Sequence, residues 1–200
     1  METTTNGFAM VGVISSLISA LIGGAIAGWF TMRAVQRAHE NDVAKQMKAE
    51  LGQLSGIYQA LHDEISTLWD VYTLRIGASL EALPANQPFA MYWPVSNHYF
   101  TVYEANSVFI GRIPDDELRQ LIVMTYTKAK GLLDSFMMNN HMLEKLEASA
   151  QNGPHTNPQY AAGLNQSLVL YADALKEQHH DLKNLVGKLT ASLMEARDGN

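Results

Sequence analysis

The chain has 200 residues, 14 Lys/Arg against 20 Asp/Glu, and no cysteine. That length holds one domain of ordinary size besides a membrane anchor. The missing thiols exclude disulfides, thiolate metal sites and a cysteine nucleophile; the acidic balance, 10 Lys/Arg against 17 Asp/Glu from Glu50 onward, offers nucleic acid no basic face.

Between Glu2 and Arg33 no side chain is charged. The 22 residues from Ala9 to Phe30, at ~1.5 Å each, make a helix of ~33 Å, about the thickness of a bilayer's hydrocarbon core. This predicts a short tail at 1–8 and a transmembrane helix at 9–32. A cleaved signal peptide would begin with Lys or Arg and close on a small-x-small site. The stretch METTTNG has no basic side chain, and the run ends on Trp29 and Phe30, rings that suit the headgroup layer. Arg33, Arg37, Lys45 and Lys48 follow the span. Because positive charge stays inside, the N-terminus is expected outside and the C-terminal part in the cytoplasm. Gly12, Ser16, Ala20, Gly24 and Gly28 recur every four residues. Along such a stripe helix backbones approach closely in lipid, so a homo-oligomer joined through this face is expected.

Nothing from Thr31 to Leu83 stops a helix, so the span is expected to run through a juxtamembrane linker (33–46) into a bundle domain (47–198). Met47, Leu51, Leu54, Tyr58, Leu61, Ile65, Leu68 and Tyr72 alternate steps of four and three, a heptad-like seam. Ile57, Val71 and Leu74 widen it toward a stripe suited to a bundle. The three prolines of Pro84–Pro94 exclude a regular helix there. Next, NHYFTVYEANSVFIGRI predicts two or three helical turns ending on a left-handed Gly111 and lying across the membrane-distal end of the bundle. Pro114-Asp115-Asp116-Glu117 is a strong helix start. Leu118, Ile122, Thr125, Ala129, Leu132, Phe136, Leu143 and Leu146 carry that helix to about residue 148. Asn152-Gly153-Pro154 stops it, and Asn157-Pro158 starts the next. Leu164, Leu168, Tyr171, Leu175, Leu182, Leu185, Leu189 and Leu193 hold its stripe. The fold class is therefore all-α: an N-terminal transmembrane helix continuous with a long helix, and an antiparallel bundle of three to four helices.

Tyr103-Glu104-Ala105-Asn106, Ile110-Gly111-Arg112-Ile113, Glu117-Leu118, Ile122-Val123, Tyr126 and Ala129-Lys130 together resemble a pattern in an uncharacterised bacterial family of small single-pass inner-membrane proteins with a helical cytoplasmic domain. The resemblance implies a bacterial inner-membrane location and supplies no catalytic residues. Family members have a shorter, more apolar link before the second long helix, where this chain has Arg112 and a Pro-Asp-Asp start.

Chemistry-bearing patterns are sparse. Glu177-Gln178-His179-His180 holds the one Glu-x-x-His, whereas a di-iron bundle needs two copies and two further glutamates. The histidines beside Leu182 are expected to be solvated, and no catalytic, cofactor or metal residue is assigned. Asn139, Asn140 and His141 interrupt their helix's stripe, either as a buried polar register device or as solvated residues at a local break. Trp93, Tyr99, Tyr103, Asn106 and Arg112 have the makeup of an interface hot spot for a protein partner; the same aromatics would also serve as a cap over the bundle core. The expected function is a membrane-anchored scaffold or adaptor, not an enzyme. The alternative is a membrane effector that forms a pore or perturbs the bilayer.

Overall fold

Among the described side chains, burial begins at the stripe that starts with Leu54 and Ile57. The computed structural model describes residues 5–96, 98–151 and 157–199, with the side chains of all of these except 5–28, 30 and 34. Among the described residues there is helix and irregular chain and no strand, so the fold is all-α. In order come α1 (Thr5–Tyr72), a π-helical turn (Thr73–Gly77), α2 (Ala78–Glu81), α3 (Thr101–Ala105), α4 (Ser107–Ile110), α5 (Asp116–Gln151) and α6 (Pro158–Asp198).

The chain divides into two compact units, Met1–Leu51 and Gly52–Asn200. In the first, every described side chain is exposed, Met47 and Leu51 included. The Arg33 guanidinium lies 4.5 Å from the centre of the Trp29 ring. Among the described residues no helix is long and apolar enough to cross a membrane. Most side chains of 9–32, including those of Gly12, Ser16, Ala20, Gly24 and Gly28, lie outside the described residues.

The second unit is bundle-like, and its contacts fix the direction of each element. Leu61 and Glu64 on α1 meet Tyr126 of α5, and Tyr72 further along α1 meets Phe136 further along α5. These two helices therefore run the same way, not antiparallel as expected of successive long helices, because the proline-rich link between them is long enough to return along the bundle. Gln59 is bonded to Arg197 and Tyr72 to His179, so α6 runs opposite to α1. Parallel neighbours need a return segment between them, and residues 84–113 supply it. Phe89 sits against Phe136, Trp93 against Tyr72, and Tyr103 against Tyr126. The link descends along the groove between α1 and α5. The turns α3 and α4, expected across one end, instead lie along the side, because the aromatics of this segment fill that groove.

Local chemistry sets the element ends. Asp115 Oδ1 accepts the N–H groups of Glu117 (2.9 Å) and Leu118 (3.0 Å), capping α5. Asn157 caps α6 the same way, through Gln159 and Tyr160. The stop expected at Asn152-Gly153-Pro154 lies outside the described residues. Gly111 has φ −62°, not the left-handed value expected. Among the described non-glycine residues the left-handed one is Asn86, with φ 60°, in the proline-rich link, where a short amide side chain tolerates it. Val71 and Leu74 do not widen the core face. Leu74 is 85% exposed because it lies two residues from both Tyr72 and Ile76, which are buried.

Candidate functional site

Three prolines prevent the link from satisfying its backbone by helix formation, and a buried backbone polar group without a partner is costly. Side chains on the helices take over that role. Asn140 donates to the Trp93 carbonyl (2.6 Å) and accepts its N–H (3.2 Å), imitating a strand partner. Asn139, fully buried, donates to the Phe89 carbonyl (3.0 Å). The Lys176 ammonium donates to the carbonyl of Leu83 (2.6 Å). At the other end of the link, Glu64 accepts the N–H groups of Val102 (2.7 Å) and Tyr103 (3.0 Å), which caps α3 from a different helix. Asn139 and Asn140 are thus a register device, with the link as the element they register.

These clamps hold Phe89, Trp93 and Phe100 in the core. Trp93 meets Phe136 edge to face, 4.9 Å between ring centres, and Tyr103 stacks on Tyr126 at 4.2 Å. The five residues expected to form one partner surface are spread along the link. Trp93 is buried in the core. Tyr99, Tyr103 and Asn106 are half-buried and Arg112 is exposed. Asn106 donates to the Val102 carbonyl (2.8 Å), and Arg112 lies over the Phe109 ring.

Beside the aromatic core runs a polar chain that pattern reading missed. His179, expected to be solvated, is 3% exposed. Its Nε2 lies 2.8 Å from Glu81 Oε1 and its Nδ1 2.7 Å from the Tyr72 hydroxyl. A carboxylate can only accept, so Nε2 carries a proton, and in the neutral imidazole Nδ1 accepts from Tyr72. Lys183 completes the chain with a 2.7 Å contact to the same Glu81 oxygen. Close approach is needed here: a Cβ on Gly77 would meet Tyr72 at 3.1 Å and His179 at 3.3 Å. Burial, with Glu81 adding to it, pushes the Tyr72 hydroxyl well above its ordinary value, so it stays a donor. His180 and Glu177 are exposed, and among the described residues no group of three His, Cys, Asp or Glu side chains could hold a metal ion.

The Glu81 carboxyl is held down to about 2, first by the hydrogen bond from Lys183 and then by that from His179. A carboxyl lowered in the folded state stabilises above its unfolded value, ~4.3, and that contribution is lost as pH falls toward 2. Urea unfolding of the wild type should therefore weaken more steeply between pH 4.5 and 2 than that of Glu81→Gln. Parallel pH profiles would show that the contact does not persist in solution.

An apolar cavity of about 90 Å³ adjoins this chain, lined by residues of α1, the link, α5 and α6. Trp69, Tyr72, Trp93, Leu132, Leu182 and Val186 are among the residues that line it. Compared with protein-family models, curated proteins and solved structures, the chain matches none.

Proposed function

We propose that the chain is a membrane-anchored scaffold or adaptor. Residues 9–32 would be a single inner-membrane span with the N-terminus outside. The rest would form a cytoplasmic up-down-up-down bundle, with the irregular link as its second rung, that binds a protein partner. The observation that carries this reading is the Trp29–Arg33 stack at the end of a run without charge. An amphipathic ring beside a basic side chain is the pairing favoured at a lipid–water boundary. The clamps along the link support the second half, since they make the bundle a stiff body suited to presenting a surface.

The test is made on the full chain in bacterial membranes. It should stay in the pellet after a carbonate wash, and protease added outside intact spheroplasts should spare the C-terminal part. Release by carbonate would remove the anchor. Self-association through the small-residue stripe predicts that Gly24→Leu with Gly28→Leu lowers the oligomeric state in mild detergent, because two isobutyl groups block close backbone approach. An unchanged oligomer would exclude that face. The effector alternative rests on the same stripe and differs in outcome: overexpression would depolarise cells, and the paired leucines would abolish the effect.

A further inference from the structure

The cavity differs from the rest of the core in two respects. Its lining is apolar or aromatic except for one charged side chain, Arg75, at its edge. Arg75 is exposed and has no ion-pair partner among the described residues. In addition, the mouth leaves apolar groups part-wet. Leu68, Trp69 and Leu133 are only half-buried, and Val71 is 41% exposed. Folding alone does not close this opening.

We propose that the cavity binds a small carboxylate whose short hydrocarbon tail fills the apolar space while its anionic end pairs with Arg75. Size and charge together select this class. A volume of about 90 Å³ is well below the ~150 Å³ of a cavity that encloses benzene. A long acyl chain does not fit. An uncharged ligand of the same shape would leave the guanidinium unused, and a planar fork of donors suits a carboxylate. The Tyr72 hydroxyl is already committed to His179, so the charged contact falls to Arg75. This inference does not depend on whether 9–32 spans a bilayer.

Trp69 and Trp93 line the cavity, and Trp29, the third tryptophan, belongs to the other unit. The full chain carrying Trp29→Phe is held in amphipol, free of competing detergent, and titrated with 3-bromopropanoate, whose bromine quenches indole on contact. The expected result is saturable quenching, with 3-bromopropanol binding about ten-fold more weakly, the ratio one charge-assisted hydrogen bond supplies. Arg75→Gln should erase that difference. Ala129→Leu, which places an isobutyl group in the cavity, should abolish saturable quenching by both probes. Quenching that rises linearly without saturation, equal binding of acid and alcohol, or a preference that survives Arg75→Gln overturns the proposal. Because Arg75 is exposed, its variant decides the matter even where Ala129→Leu lowers the melting temperature.

Discussion

Replacing Glu64 with alanine is expected to destabilise the bundle unit by about 3 kcal/mol, the sum of two charge-assisted hydrogen bonds at the low end of their range. One carboxylate does the work of several partners. It accepts the N–H groups of Val102 and Tyr103, a weaker contact from the Thr101 hydroxyl at 3.5 Å, and the Tyr126 hydroxyl at 3.1 Å. Alanine leaves two N–H donors at the start of α3 without this acceptor and reduces the Tyr126 hydroxyl to its longer contact with the Leu61 carbonyl. Glu64→Gln keeps one acceptor oxygen and should cost about 1 kcal/mol, a typical neutral hydrogen bond. Tyr126→Phe should cost a similar ~1 kcal/mol, since its hydroxyl also reaches the Leu61 carbonyl at 3.3 Å. Combined with Glu64→Ala it should cost less than the sum, because the two share a contact. Urea denaturation of the four proteins gives this cycle. A loss under about 1 kcal/mol for Glu64→Ala would mean that water replaces the carboxylate at this half-buried site.

Legibility in the sequence follows from which interactions are periodic. Helical stripes repeat, so Leu118, Ile122, Ala129, Leu132 and Phe136 in α5, and Leu168, Leu175, Leu182 and Leu189 in α6, could be named as core-facing and are buried. Caps are local, so Asn157 could be identified from its neighbour Pro158. The clamps are neither periodic nor local. Glu64 lies on a helix whose stripe accounts for Leu61 and Ile65 without it, and its partners are 38 and 39 residues away. His179 looked solvated because its neighbours His180 and Glu177 are. Its burial depends on Tyr72 and Glu81, brought to it from 107 and 98 residues away. Asn139 and Asn140 did leave a trace, as polar residues where the stripe called for apolar ones. The missing information was the course of the link, which three prolines marked as non-helical without giving its direction. That direction follows from the parallel arrangement of α1 and α5, whereas similar helix lengths and compact connections point to antiparallel neighbours.

The link also determines which core substitution should matter most. Phe136→Ala is expected to cost about 4 kcal/mol, within the range for truncating a fully buried phenylalanine. Its ring meets Trp93 at 4.9 Å, Phe89 at 5.9 Å and Tyr72 at 6.0 Å, each edge to face, and such pairs add ~0.5–1.5 kcal/mol beyond burial. Against a typical total of ~5–15 kcal/mol, that loss approaches global unfolding. Two of the three partners belong to the link, which has no helical hydrogen bonds around Phe89 and Trp93 and is anchored there by side chains. Hydrogen exchange in Phe136→Ala should therefore accelerate at Trp93, whose N–H is held only by Asn140, before it does in the middle of α6. Phe136→Leu keeps much of the volume but loses the ring edges, and should cost about 1.5 kcal/mol, the upper end for a swap between large apolar side chains. A loss below that figure for Phe136→Ala, or uniform acceleration across link and helices, would show that the link is held by its polar clamps alone. The aromatic contacts would then be packing of little energetic consequence.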